Sequence, residues 1–293
     1  MFGQKKTLFE RFASRVDLHQ SPMYAKAMES IGWKTVGTSP SQIFVKKLGP
    51  VAIAKMQRPS IADVEFLKKI RKQQRTIMFY LEPALACSNI AGFSRKTAPL
   101  AHSATSLIDL GLTEKQLLER MKQKTRYNIG LAERKKHIRI RVAPLETFSK
   151  KDLETLFKLR TAWNKRKNVY GYDKPFLQGI VSSFKNQGFC LFAEIGSNVV
   201  ASLLILEWNK TAVYFCAYST PKGNEEFAPT LLTWVAMKTS KKRGNDIFDF
   251  GGIFDARFPK IYNHWKGFTK FKEGFSAYPL FYLPSFVKYG WWT

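Results

Sequence analysis

Acidic residues are scarce in this 293-residue chain: 22 Asp and Glu face 48 Lys and Arg, leaving a formal net charge of +26. Sulfur and imidazole nucleophiles are scarcer still, with three cysteines and four histidines. Cys87, Cys190 and Cys216 lie far apart, are odd in number and form no CxxC, which excludes a disulfide framework and a cysteine zinc site. His19, His102, His137 and His264 are isolated and no pair has metal-ligand spacing, so no metal is expected and each reads as a surface or packing residue. No run approaches the roughly 18–20 unbroken apolar residues of a membrane-spanning helix. The opening Met-Phe-Gly-Gln-Lys-Lys has basic residues with no apolar run behind them, so it does not read as a secretory signal. GxGxxG, Walker A, HExxH and GxSxG patterns are missing. Together these absences predict a soluble protein of a reducing cytoplasm.

Apolar material, by contrast, is ample. Hydrophobic residues make up 45% of the chain and aromatics 14%, enough to build real cores, so the charge does not signal disorder. The length suits one large domain or two ordinary ones. The positive charge attracts polyanions, with nucleic acid first and an anionic membrane surface or a phosphorylated substrate next. It is concentrated in Lys115–Arg141, where Glu119 and Glu133 are the opposing charges, and in Lys165–Lys167, Lys238–Arg243 and Lys260–Lys272. Apolar residues interleave each cluster, which places the charge on folded elements and not on a loose arm.

Periodicity predicts helices over 22–31 (capped by Ser21), 61–74, 113–136, 151–165, 174–184 and 229–241. It predicts strands over 33–36, 43–46, 51–56, 76–81, 106–110 and 138–142, a meander over 189–195, 199–208 and 211–219, then 247–250, 268–274 and 277–283. The pattern restarts near Pro144, giving two α+β units of similar size with mixed sheets, residues 1–145 and 146–293, and a cleft between them as a place for ligands. The pair Gly251-Gly252 after Phe248-Asp249-Phe250 reads either as a tight turn closing a buried strand or as a close approach of backbone to ligand. Tyr170, Tyr172, Trp265, Tyr289, Trp291 and Trp292 stand near basic residues and read as packing or as stacking surfaces.

The segment EKQLLERMKQKTRYNIGLAERKKHIRI resembles the signature helix of the FemABX family, the aminoacyl-tRNA-dependent peptidyltransferases that extend the peptide of bacterial peptidoglycan precursors. QSPMYAKAMESIGWK, LIDL, EEFAPTLLTWVAMKTSKKRGNDIFDFGGI and WKGFTKFKEGFSAYPLFYLPSF resemble further family segments in the same order, over nearly the whole chain. The resemblance implies two tandem acetyltransferase-like (GNAT-type) subdomains without a coiled-coil arm, the last ~15 residues packing back on the first. It implies transfer of an aminoacyl group from its tRNA ester to an amine of the precursor's stem peptide. No cofactor is then expected beyond aminoacyl-tRNA as donor. The other expected partner is the UDP-linked or lipid-linked precursor, met by a monomer with possible peripheral membrane contact. The rival readings are an N-acyltransferase using acyl-CoA or another amine, and a non-catalytic binder of nucleic acid or membrane.

The resemblance also implies roles. It assigns Phe271-Lys272 to the reaction centre, the ammonium steadying the developing oxyanion. If residues 268–274 form a strand, Lys270 shares a face with Lys272 and rivals it. Glu82 in YLEP matches an acidic family position and reads as proton acceptor for the attacking amine, or equally as a turn cap before Pro83. Lys26, Tyr172, Lys174, Phe227, Gly251 and Gly252 are the candidate substrate contacts. Lys122, Lys124, Arg126, Arg134 and Lys135, on the basic face of 122–136, and Lys241, Lys242 and Arg243 are the candidate tRNA contacts. Acetyltransferases of this architecture seat the coenzyme A pyrophosphate at a Gly-rich turn before a helix. Here that place reads Lys222-Gly223-Asn224-Glu225-Glu226-Phe227, and two carboxylates there disfavour coenzyme A.

Overall fold

The computed structural model describes residues 6–87, 93, 95–135, 137–168 and 172–290. Lys136, Tyr170, Trp291 and Trp292 lie outside the described residues. In chain order the elements are α1 (Leu8–Ala13), α2 (Pro22–Glu29), β1 (Lys34–Val36), β2 (Ile43–Leu48), β3 (Val51–Gln57), α3 (Val64–Gln74), β4 (Thr76–Glu82), β5 (Lys96–Thr97) and β6 (Ala104–Asp109). They continue with α4 (Glu114–Arg120), α5 (Gln123–Arg134), β7 (Ile138–Pro144), α6 (Lys150–Lys167), α7 (Lys174–Ser183), β8 (Gly188–Ile195), β9 (Asn198–Trp208), β10 (Thr211–Ser219) and α8 (Pro221–Glu225). The last are α9 (Ala228–Lys242), β11 (Ile247–Gly252), α10 (Pro259–Tyr262), α11 (Lys266–Glu273), β12 (Tyr278–Phe281) and β13 (Ser285–Tyr289).

The chain forms two compact units, each discontinuous in sequence: residues 1–105 with 252–263 and 280–293, and residues 106–251 with 264–279. The boundary expected at 145/146 falls inside the second unit. The reason is an unbroken ladder: β7 pairs with β8 from Ile138 opposite Ile195 to Pro144 opposite Phe189.

The first unit holds a mixed sheet in the order β1-β2-β3-β4-β13-β5. β3 and β4 run parallel and β13 pairs antiparallel with β4. Strand alternation divides its faces. Val45, Ala54, Met56, Phe79 and Leu81 point into a core closed by Leu67 and Ile70 of α3. On the other face α2 lays Tyr24 edge-on to Phe44, ring centres 5.8 Å apart. The sequence shows why α2 starts where it does: Ser21 accepts the Tyr24 N–H at 3.1 Å and Pro22 supplies a first helical residue that needs no donor.

The second sheet runs β12-β6-β11-β10-β9-β8-β7. Leu203 and Ile205 of β9 pack with Leu232 and Ala236 of α9 and Ile129 of α5 in one core. Leu204 and Leu206 are buried on the opposite face, where α6 packs against β9 and β10. Two expectations for this unit fail. The helix expected over 113–136 breaks into α4 and α5, because Met121 turns extended (ψ 151°) and Lys122 donates its N–H to Gly274 O at 2.9 Å. Gly274 permits that approach, since a Cβ there would lie 2.4 Å from Thr125 Oγ1. The strand expected over 268–274 is instead the helix α11. Phe268, Phe271 and Phe275 recur near the helical period, and the two-residue alternation of Lys270 and Lys272 misleads.

Candidate active site

The seven-stranded sheet is interrupted near its centre. β10 and β11 run parallel but pair at three positions, Thr211 with Ile247, Ala212 with Phe248 and Val213 with Asp249. There β10 bulges between Tyr214 and Cys216 against β9. β11 answers with Gly251 in the left-handed region at φ +66°, where a Cβ would stand 3.3 Å from Tyr214 O. Asp249 accepts the Gly251 N–H on Oδ1 at 2.8 Å, standing in for a strand partner. The close approach that requires glycine is therefore to β10's own carbonyl. Interrupted ladders of this kind re-aim side chains beside reaction centres. Gly252 ends β11 half-buried.

Lys272 reaches this interruption from α11. It is 8% exposed, and its Nζ lies 5.7 Å from the centre of the Tyr214 ring. Burial pushes the ammonium down to about 8, and the Asp249 carboxylate works against that fall. On a helix, residues two apart diverge, so Lys270 does not share this position: it is exposed. Phe271 packs edge-on to Phe275 at 5.4 Å, and Phe275 in turn meets Phe250 at 5.5 Å, which locks α11 to β11. Trp163 of α6 stacks on Phe268, centres 5.9 Å apart. Burial raises the Tyr214 phenol and pushes the Cys216 thiol up to about 12, so neither supplies an anionic nucleophile near neutral pH. Lys272 is a cation here with a proton to give near neutral pH, and the neutral Tyr214 phenol is a second hydrogen-bond donor.

At the start of α9, Phe227 takes a left-handed conformation (φ 57°) and no side chain caps the helix. Glu226 sits beside it, 8% exposed, and is paired by Lys135 and by Lys222 at 2.8 Å. The Lys135 and Lys222 hydrogen bonds hold its carboxyl down to about 2. Pro229 has no N–H, and the Thr230 and Leu231 N–H groups are taken by Phe227 O. The end of this helix that usually welcomes an anion thus presents a permanent carboxylate.

Other predicted contacts fall around this unit. Tyr172 stacks flat on Phe215 at 4.7 Å and 6°, while Lys174 is exposed at the start of α7 with Nζ 5.0 Å from the Phe157 ring centre. Lys26 and Glu82 belong to the first unit. Lys26 is exposed on α2. Glu82 is 1% exposed; its Oε1 accepts the Leu100 and Ala101 N–H groups, each at 2.8 Å, and its Oε2 accepts from Gln57 Nε2 at 3.1 Å. Of its two expected roles, these are the contacts of a carboxylate that organises a turn.

Residues 119–267, just over half of the chain, match the family described as acetyltransferase (GNAT) domain. The chain belongs to this family. Its reaction class is acyl transfer. Among solved structures, FemX matches at a TM-score of 0.76 and 12% identity, over 96% of this chain and 94% of that chain. A C-terminal domain assigned to a lysylphosphatidylglycerol synthetase of Agrobacterium fabrum matches at 0.62 and 14%, over 95% and 90%. A tandem GNAT protein of the clavulanic acid biosynthesis pathway matches at 0.54 and 7%, over 85% and 78%. No curated protein sequence matches the chain. At these identities the likenesses speak to fold, and there the FemABX resemblance is borne out: the GNAT-type α+β architecture with mixed sheets is the one observed.

Within this GNAT-family chain the predicted nucleic-acid residues divide in two. Lys135 is spent on Glu226, and Arg126 donates to Glu119 O at 3.2 Å and to Met121 O, closing the end of α4. Lys241 donates to Leu110 O and Leu112 O at 2.7 and 2.6 Å, and Arg243 pairs with Glu207 at 2.7 Å. Lys122 faces Glu273 at 3.5 Å. Lys124, Arg134 and Lys242 are exposed, with Tyr127, 60% exposed, between the first two. Among the described residues, no helix is long and apolar enough to cross a membrane. Sequence reasoning missed Asp249 and Tyr214. The signal for Asp249 was a lone carboxylate inside the apolar strand IFDFGG, three residues before its end.

Proposed function

We propose that this GNAT-family acyltransferase moves an aminoacyl group from aminoacyl-tRNA to an amine on the stem peptide of a peptidoglycan precursor. The observation that carries the reading is the Lys272 ammonium, buried beside Asp249 and Tyr214 and held at about 8. A tRNA ester is already activated, so catalysis needs positioning and a donor for the oxyanion formed when the amine attacks the ester carbonyl. Lys272 Nζ donates to that oxygen; as the carbon–oxygen bond to the ribose breaks, its lowered pKa suits it to pass a proton to the departing hydroxyl, and the neutral amine left behind takes up the proton that the attacking nitrogen sheds on becoming an amide. The paired Glu226 at α9 supports a donor other than coenzyme A, because a coenzyme pyrophosphate at that helix end would meet a carboxylate at close range. The exposed Lys124, Arg134 and Lys242 suit phosphate contacts with an RNA acceptor end. On this reading no cofactor is needed. The FemABX resemblance of the sequence, with a FemX-like fold over 96% of this chain, supports the peptidoglycan acceptor. The lysylphosphatidylglycerol synthetase domain makes a lipid-borne acceptor at a membrane surface the variant to test beside it.

The deciding experiment offers the protein precursor peptides with a mixed pool of aminoacyl-tRNAs, or with acetyl-CoA, and reads the products by mass spectrometry. Mass increments of single amino acids are expected. Acetylation with no aminoacyl product overturns the reading.

A further inference from the structure

Lys55 stands in an unfavourable place for its charge. On β3, Ala52, Ala54 and Met56 point into the core, so Ile53, Lys55 and Gln57 share the other face of the first unit's sheet. Lys55 lies opposite Phe44 of β2 and Tyr80 of β4, while Lys46 lies opposite Ile53. The two lysines are therefore diagonal neighbours on one face, within reach of each other. Both ammonium groups converge on one indole, with Lys46 Nζ 5.7 Å and Lys55 Nζ 4.8 Å from the centre of the Trp33 ring. Lys46 donates to Ile31 O at 3.3 Å. Lys55 Nζ has no hydrogen-bond acceptor among the described residues. Glu82, the carboxylate that eases its charge, is already engaged by two backbone N–H groups and by Gln57. The neighbouring Gln57 Oε1 is buried without a partner. Two like charges, half-buried on one sheet face with too few acceptors, break the local rules of sheet stability, and natural proteins keep such conflicts where a ligand resolves them.

We propose that Lys46, Lys55 and Trp33 form a subsite for a phosphate-class dianion, a pyrophosphate or phosphate ester carried by a substrate. Two ammonium groups supply the charge and, with one Lys46 N–H already given to Ile31 O, up to five N–H donors, and lysine serves phosphate as a point charge. The indole wall excludes water on one side, which strengthens the attraction. Burial holds Lys55 at about 8, with Lys46 pushing the same way and Glu82 opposing; Tyr80, opposite Lys55 on β4, is the other titratable group at its side, and Tyr289 acts on Tyr80 from β13. An arriving anion favours the charged form, so binding takes up protons and weakens as pH rises through about 8. The subsite gives the proposed precursor's phosphates a place, but it is tested by binding and not by transfer, so either reading can fail alone.

The test is isothermal titration of the intact chain with inorganic pyrophosphate at about 0.15 M salt, where distant charges are screened. Lys55→Met and Lys46→Met are each expected to weaken binding by about tenfold or more. Lys47→Met removes the same charge from β2 but on the opposite face, and is expected to leave affinity within about twofold. Equal losses from Lys47→Met and Lys55→Met would show diffuse attraction to the net charge and overturn the proposal, as would absence of binding by the unaltered chain. Tighter binding of succinate than of pyrophosphate overturns the phosphate class. Thermal melts separate folding from binding: Lys55→Met is expected to melt higher while binding less, and Trp33→Leu gives a second variant that keeps both charges.

Discussion

Lys272 is buried and Lys55 half-buried, in different units, yet desolvation holds both ammonium groups at about the same value. Each has an aromatic ring close by, Tyr214 at 5.7 Å for one and Trp33 at 4.8 Å for the other. Each is eased by one carboxylate, Asp249 or Glu82. The difference is the second cation. For Lys272 the charge that bears on the shift is Asp249, and its helix is pinned by a run of phenylalanines, which suits the proposed role of a proton donor held in a fixed place. Lys55 has Lys46 beside it and reads as half of a pair awaiting a doubly charged guest. On the two proposals made above, the same displaced pKa serves chemistry in one unit and electrostatic recognition in the other, and the neighbours decide which.

Removing Lys272 should separate the two most sharply. Lys272→Met is expected to lower the transfer rate by about 10²–10³-fold while leaving pyrophosphate binding intact, measured by single-turnover transfer and by titration. It should also melt higher, since replacing a desolvated charge by an apolar chain of similar length stabilises by about 1–2 kcal/mol. The linkage agrees in sign: the folded-state value lies below the unfolded one, so the charged lysine costs stability below about pH 8, and that cost fades as pH rises towards 10.5. Glu82→Gln comes next. A carboxylate that organises a turn keeps its two backbone bonds as an amide, and little loss of transfer is expected; a loss of about 10²-fold or more would give Glu82 the proton instead. Lys241→Met should lower stability by about 1–3 kcal/mol in denaturant melts, from two lost charge-assisted bonds, and leave the salt dependence of RNA binding unchanged, whereas Lys124→Met should reduce that dependence. The smallest effect is a displacement. Transfer should fall as pH rises through about 8, and Asp249→Asn should move that midpoint to lower pH, because the carboxylate now holds it up.

Most elements were legible in the sequence because their apolar spacing, caps and turns agree. Ser21, Thr113 and Ser149 each cap the helix that follows, and the meander turns fall at Gly196-Ser197 and Asn209-Lys210. Two things were hidden. One is α11, whose alternating lysines mimic a strand while its phenylalanines keep helical time. The other is long-range pairing: nothing local tells that β7 is a strand of the second sheet, and the return of the chain's last residues to the first unit was legible through resemblance alone. At the site, Lys272 could be read only through resemblance, because a lysine's burial depends on what packs over it. Asp249 and Lys55 left a local trace, a charge inside an otherwise apolar strand, which alternation alone assigns to solvent.

β13 carries a consequence for synthesis. Its five residues lie between β4 and β5 in the first sheet, so that sheet lacks an interior strand until position 289 has left the ribosome. An N-terminal fragment ending near residue 105 would leave the edges of β4 and β5 open to pairing with other chains. A premature stop within codons 285–289 would open the first sheet as surely as a break in β4 itself.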